Sequence, residues 1–302
     1  MPVCRLPVTK NPRNKKSCLA TEQSVAARCP FCLTPYMSNF IVHFGQLATG
    51  LGAWAGVKTM PMHAYANPAR FLSIARPVTP WLFWGGLVLI VLGCACGLFL
   101  TPADYLQGQT VRILYIHVPA AWLGMGGWTG IAIAAVMQLV WRHPLAAIAG
   151  RAIAAPGALF TAICLVTGSL WGRPTWGTYW QWDGRMTSML VLFFLYLGYI
   201  ALGNASASNG NAGGVSRVTA IFGLVGAVNI PIINRSVVWW NTLHQGPSIT
   251  LRGSSIDGAI LWPLGLTVLG FSLWFGAIVL MRMRAILAET KVEARMQRLA
   301  RG

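Results

Sequence analysis

Six stretches of this chain carry no charged residue and run long enough, or nearly so, to cross a hydrocarbon core of about 30 Å. They lie near 81–100, 118–140, 152–170, 187–203, 218–234 and 259–281, the fourth and fifth being the shortest. Lipid offers no partner to open backbone groups, so each stretch is expected to be helical. Many hold small residues, as in GALFTAICLVTGS (157–169) and GLVGAV (223–228), which let membrane helices approach closely. The pattern predicts an all-α integral membrane protein, a bundle of six transmembrane helices. It contains no repeat, coiled coil or soluble globular domain. It also lacks a Walker-type P-loop, so ATP hydrolysis is not expected of this chain.

Three regions follow from that pattern. Residues 76–285 form the six-helix membrane domain, and 286–302 form a basic tail. Residues 1–75 are expected to be a poorly ordered extension. Lys10, Arg13, Lys15 and Lys16 sit there with little periodicity. Residues 37–57 are mildly apolar but too rich in glycine and polar side chains for a seventh span. No signal peptide with a small-residue cleavage site is evident. Translation is expected to start near Met60 or Met62, with the upstream stretch a misassigned start or a disordered tail. Mass spectrometry of protein from the native host tests this, and a peptide from residues 17–28 would refute it.

Composition agrees with the membrane reading. Hydrophobic residues make up 55% of the 302 and charged residues 10%, against about 25% charged in an average soluble domain. The net charge of +17 does not point to nucleic acid, because no basic helix face interleaved with aromatics is present. The cations lie in tails and loops, where they set orientation. The loops after the second and fourth spans hold Arg142, Arg151 and Arg217 with no acid. The C-terminal tail adds Arg282, Arg284, Lys291, Arg295, Arg298 and Arg301, and Arg70 and Arg76 precede the first span. The other three loops hold Arg112, Arg173, Arg185, Arg235 and Arg252 beside Asp104, Asp183 and Asp257. Both termini are therefore expected in the cytoplasm, with the first, third and fifth loops outside.

The third loop is the most distinctive part of the chain. In WGRPTWGTYWQWDGR (171–185), Trp171, Trp176, Trp180, Trp182 and Tyr179 fall close together. Gly172, Pro174, Gly177 and Gly184 are expected to break any helix there. Five aromatics in one short outer loop exceed the one or two of an interfacial belt at each helix end. A docking platform for a large planar ligand and an aromatic belt both remain open on these residues alone.

Two histidines lie on the same outer face. His117 sits in ILYIHVPAAW at the entrance of the second span, and His244 in VVWWNTLHQG just beyond the fifth. Trp239 and Trp240 stand beside the latter. Imidazole is a good axial ligand for haem iron, although a single interfacial histidine is as readily a hydrogen-bonded helix-end residue. His143 reads as a solvated cytoplasmic residue, and His43 and His63 receive no role. Cys94, Cys96 and Cys164 read as apolar packing residues inside spans. Cys29 and Cys32 form CPFC, which lacks a βαβ context, a second pair and a haem-attachment extension. Cys4 and Cys18 belong to the same extension.

These residues carry a resemblance. WGRPTWGTYWQWDGRMTS resembles the tryptophan-rich WWD signature of haem-handling membrane proteins of cytochrome c maturation. TPADYLQGQTVRILYIHVPAAW (101–122), VNIPIINRSVVWWNTLHQG (228–246) and LMRMR (280–284) are similar to the smaller member, the haem exporter protein C family, also called cytochrome c maturation protein C. The resemblance covers about residues 76–290, while the first 60–75 residues match nothing in the family pattern.

The resemblance implies a six-helix inner-membrane component of bacterial haem delivery, with haem b bound transiently and non-covalently on the periplasmic side. It implies presentation to a haem chaperone, cytochrome c maturation protein E. The implied partners are an ABC-type complex of maturation proteins A and B, and a small membrane protein, D. The family's two axial histidines map onto His117 and His244, and its tryptophan-rich loop onto 171–183. Beside that carry-over, Trp rings pack well on a porphyrin, burying about 150–250 Å² each. Arg173 and Arg185 are candidates for haem propionates, with pairing to Asp183 or lipid phosphate as the alternative for Arg185. Asp183 either caps the fourth span or serves loop shaping and chaperone docking. Asn229 and Pro231 are expected to make a local kink with satisfied polar groups. A permease that itself carries haem across the bilayer is the alternative function. It is disfavoured because no charged pathway lines the spans. A haem lyase is a third reading, and no place for an apocytochrome segment is found. No enzyme activity is expected.

Overall fold

The computed structural model describes residues 67–208, 216–240, 242–244, 246, 248–250 and 253–302. The expectations for the extension that fall on residues 1–66, including Cys4, Cys18, Cys29, Cys32, His43 and His63, lie outside the described residues.

The described residues are almost wholly helical. In order they form α1 (Pro68–Phe99), a 3-10 turn (Gln109–Ile113), α2 (Leu114–Trp141), α3 (Pro144–Trp176), α4 (Gly184–Ser208), α5 (Arg217–Gly226) and α6 (Asn229–Trp239). A small hairpin, β1 (Ile249–Thr250) and β2 (Gly253–Ser254), leads to α7 (Gly258–Leu299). Counting α5 and α6 as one span, six helical segments are long and apolar enough to cross a membrane. The protein is a multi-pass, all-α membrane protein.

The helices overrun the uncharged stretches. α1 begins at Pro68, so residues 68–75, assigned to the extension from sequence, are helical. Asn67 caps that start by accepting from the Ala69 amide at 2.9 Å. α7 runs unbroken for 42 residues through the expected tail, about 63 Å at 1.5 Å per residue. Charge marks where the hydrocarbon ends, but it does not stop a helix.

The fifth span is broken between α5 and α6. Asn229 donates to the Ser188 carbonyl at 2.9 Å, and Pro231 lies in the first turn of α6, where a missing N–H costs little. The expected kink with a satisfied Asn229 is present.

Small residues set the packing. α1 and α7 run antiparallel in close contact: a Cβ on Gly86 would lie 2.8 Å from the Gly270 carbonyl and the Trp274 amide. Trp128 on α2 is fully buried and meets Tyr196 of α4 edge-on at 4.9 Å. Gly226 lets α5 close over Trp128, since a Cβ there would come within 2.3 Å of the ring. The Tyr196 hydroxyl donates to the Gly124 carbonyl at 2.7 Å. Cys164 is buried in this core as a packing residue, as expected. These contacts fix the relative heights of α2, α3 and α4, whose ends carry the candidate site.

Candidate functional site

The site is built at one end of the bundle, where α2 and α4 begin and α3 and α6 finish. The tryptophan-rich stretch is only partly the loop expected from sequence. α3 continues through Gly172 and Pro174 to Trp176. Pro174 cannot donate to the Leu170 carbonyl, yet the helix continues past it, and buried Gly172 packs closely against the Thr178 carbonyl and the Trp176 ring. Gly177 then stops the helix in the left-handed conformation, φ 79°. The chain is extended or bent from 177 to 183 and turns helical again at Gly184.

This end of α3 places two tryptophans, five residues apart, each against one histidine. Trp171 meets His117 edge-on with ring centroids 5.6 Å apart, and Trp176 meets His244 at 4.7 Å. Trp171 is itself held by its indole N–H, which donates to Gln107 Oε1 at 3.0 Å. Gln107 is positioned by the Asp104 turn, whose carboxylate accepts from the Leu106 and Gln107 amides. His117 and His244 are close enough to interact electrostatically, and Arg185 lies within reach of both.

Each histidine is anchored through Nδ1. Asp183 Oδ2 lies 2.6 Å from His244 Nδ1. A carboxylate only accepts, so Nδ1 carries the proton and donates, and Nε2 keeps its lone pair. The His117 Nδ1 lies 3.0 Å from Thr167 Oγ1. The Thr167 hydroxyl donates to the Ile163 carbonyl at 2.7 Å, so it accepts from His117. Nε2 of His117 is therefore also the free nitrogen. A second partner on the far ring nitrogen is how proteins orient metal-binding imidazoles.

Asp183 has two tasks, one per oxygen. Oδ1 accepts from the Met186 amide at 2.8 Å and caps α4. Oδ2 orients His244. Burial alone raises the carboxyl, but the Met186 amide, the Thr242 hydroxyl and His244 together outweigh it, and the net shift is below the ordinary range. Burial dominates at His244 and lowers it further than Asp183 restores, with Arg185 adding to the depression. The short contact thus joins a neutral imidazole to a carboxylate.

Both shifts have the same sign. A depressed group favours the ordered state above its ordinary pKa and loses that contribution as pH falls through the depressed value. Contact between the 242–244 segment and α4 is therefore expected to weaken as pH drops below 6.5, the ordinary value for His244, and further below 3.8, that of Asp183. Amide hydrogen exchange at Thr242–His244 measured from pH 8 to 5 checks this. Protection independent of pH, after correction for intrinsic exchange, would contradict it.

The remaining candidates fall into place around this pair. Trp180 and Trp182 meet at 5.3 Å, and Trp239 and Trp240 at 6.3 Å. Trp240 packs over the Gly184 backbone, where a Cβ would come within 2.9 Å of its ring. Trp182 is 75% exposed, Trp239 60% and Trp240 54%, an aromatic surface beside the histidines. Arg173 is engaged locally: it donates to the Gly177 carbonyl and lies 5.5 Å over Tyr179. Arg185 makes no ion pair among the described residues. The Trp180 indole nitrogen is buried without a partner among them.

Sequence reasoning missed Thr167, Gly168, Thr242 and Gln107. Thr167 carried a signal, because it lies one helical turn before Trp171 and so on the same face. Gly168 gives the His117 ring its space: a Cβ there would lie 3.0 Å from Cε1. Gly168→Val is expected to push His117 off Thr167 and weaken ligand retention by roughly tenfold, with helicity by circular dichroism unchanged. A variant that retains ligand as wild type does would show that Gly168 has no such role.

The donor set defines what can bind. Two imidazoles offer Nε2 lone pairs, aromatic rings line the space, and a guanidinium with no ion pair among the described residues stands beside them. Among the described residues no group of three or more His, Cys, Asp or Glu could hold a metal ion. The arrangement suits a flat, largely apolar, anionic molecule that brings its own metal.

The family model described as Heme exporter protein C matches residues 61–298. The chain is 48% identical over 230 residues to Heme exporter protein C of Bradyrhizobium diazoefficiens, covering 76% of this chain and 86% of that protein. It is 47% identical over 226 residues to the Escherichia coli protein of that name, covering 75% and 90%. It is 40% identical over 243 residues to that of Paracoccus denitrificans, covering 80% and 96%. By residues matched and by identity, this chain belongs to the Heme exporter protein C family.

Proposed function

We propose that this protein serves c-type cytochrome biogenesis by presenting haem at the histidine end of its bundle to a periplasmic haem chaperone. His117 and His244 are the axial ligands, and the cargo is haem b held without a covalent bond. One observation carries the reading: both imidazoles are tied at Nδ1, to Thr167 and to Asp183, which leaves two Nε2 lone pairs beside an aromatic wall. Arg185 and the Trp180 indole N–H are the donors available to propionates. Arg173 serves the loop through Gly177 and Tyr179 instead.

The family supports a role in haem export, and the fold supports a multi-pass carrier of the site. The cations near the opposite end, Arg76, Arg142, Arg151, Arg217, Arg282 and Arg284, support a cytoplasmic location for that end in the inner membrane. The histidine end then faces the periplasm. Exposed Trp182, Trp239 and Trp240 offer a docking surface to the chaperone, maturation protein E. ATP hydrolysis by maturation proteins A and B drives release, with the small protein D as a further partner. The chain acts by ligation and positioning, and no bond-making chemistry is assigned to it.

The test is hand-off. The chain is purified from cells with and without the chaperone and the ABC subunits, and visible spectra locate the haem. Haem is expected on this chain when the chaperone is absent, and on the chaperone when all partners are present. Haem that never resides on this chain, or that loads the chaperone without it, refutes presentation.

A further inference from the structure

At the end of the bundle opposite the histidines, α1 and α7 part and leave a cavity of about 520 Å³. Its floor is apolar, formed by Leu72, Met281, Ala285 and Ala288, and its rim carries Arg76, Arg284 and Lys291. No acid lines it. The one ion pair found among the described residues is His244–Asp183, at the far end of the bundle. Three positive charges therefore stand around an apolar hollow without a carboxylate to bridge them.

The height of the cavity is informative. The packing of Gly86 against Gly270 and Trp274 sets the antiparallel register of α1 and α7, which brings Arg76 level with Arg284. The uncharged stretches begin at 77 on α1 and end at 281 on α7. Arg76 is therefore the first charge at the border of the apolar part of α1, and Arg284 lies about 4.5 Å of helix past Met281. Charges at that border sit where the hydrocarbon core meets the headgroup layer, which is roughly 5–8 Å deep on each side. The volume lies within the range of ligand pockets, roughly 300–1,000 Å³.

We propose that this cavity binds an anionic phospholipid, with the phosphodiester held by Arg76 and Arg284, Lys291 at the rim, and the glycerol and first acyl carbons over Leu72 and Met281. A guanidinium pair suits phosphate oxygens, and the apolar floor suits the glycerol and first acyl carbons rather than a soluble anion. The lipid bridges α1 and α7 where they diverge, and so fixes the α1–α7 pair at its cytoplasmic end.

The test uses full-length protein in neutral detergent, titrated with phosphatidylglycerol or phosphatidylcholine and followed by native mass spectrometry. Wild type is expected to retain phosphatidylglycerol in preference to phosphatidylcholine. The double variant Arg76→Gln/Arg284→Gln is expected to lose about twentyfold or more in that retention, from roughly fivefold per cation removed. The double variant Arg295→Gln/Arg298→Gln lowers the net charge equally, leaves the cavity intact and should retain lipid as wild type does. Ala288→Leu narrows the floor at constant charge and should also reduce retention. Equal losses in the two double variants would reduce the site to a diffuse field and overturn the proposal. Equal retention of both lipids by wild type, or displacement of the bound species by millimolar inorganic phosphate, would overturn it too.

Discussion

Protein carrying His244→Ala or His117→Ala is expected to lose the low-spin haem spectrum of wild type. Each free Nε2 is one axial ligand in the proposed function, and the anchored Nδ1 partners mean that neither ring can swing to replace the other. Removal of one ligand should leave a high-spin, five-coordinate spectrum with haem affinity lower on the order of a hundredfold or more, since loss of an outer-shell partner alone costs 10–100-fold. Added imidazole should restore the low-spin bands in either variant, because the hollow left by alanine accepts the small ligand. His143→Ala, at the opposite end of the bundle, should change nothing in the spectrum. Wild-type spectra in both single variants would remove these two residues from the ligand set, and with them the presentation mechanism.

Asp183→Asn should cost about as much as losing an outer-shell partner, 10–100-fold in haem retention, without unfolding the bundle. The reasoning rests on counting acceptors. The carboxylate uses Oδ1 to cap α4 through the Met186 amide and Oδ2 to receive the His244 Nδ1–H. An amide has one acceptor and one donor group. If its oxygen keeps the cap, its NH2 faces His244, forces Nδ1 to accept and moves the proton to Nε2, the nitrogen needed for iron. If it turns the other way, the cap is lost. Asp183→Ala should lose both functions, with the loss of the cap worth about 1 kcal/mol. Haem retention in Asp183→Asn equal to wild type would show that the carboxylate only caps. Equal losses in Asn and Ala variants with an intact His244 tautomer, read from nitrogen-15 shifts, would point to loop shaping alone.

The candidate site was legible in the sequence in its donors and unreadable in its supports. His117 and His244 stood out because they flank spans on the same side, and the tryptophan-rich stretch because its density exceeds an interfacial belt. Thr167 and Thr242 did not stand out, because a threonine inside or beside an apolar segment looks like packing until its hydroxyl is seen to face a ring. Arg173 and Arg185 were equivalent as charges in one loop. Their backbones separate them: Arg173 ends α3 and folds onto its own cap, whereas Arg185 begins α4 beside Asp183 and His244.

By itself the sequence determined the membrane class, the six crossings and the side on which cations gather, because these depend on hydrophobic length and on charge counted along the chain. It also placed the two imidazoles on one face, since loop parity is a topological property. Tertiary structure decided where helices end. α3 runs through Pro174 and stops only where Gly177 turns left-handed, and α7 runs through its basic half because an exposed helix needs no hydrocarbon. It also decided which nitrogen of each histidine is free. That depends on partners 50 and 61 residues away, brought within 3.0 Å and 2.6 Å only by the packing of α2 on α3 and of the segment after α6 on α4.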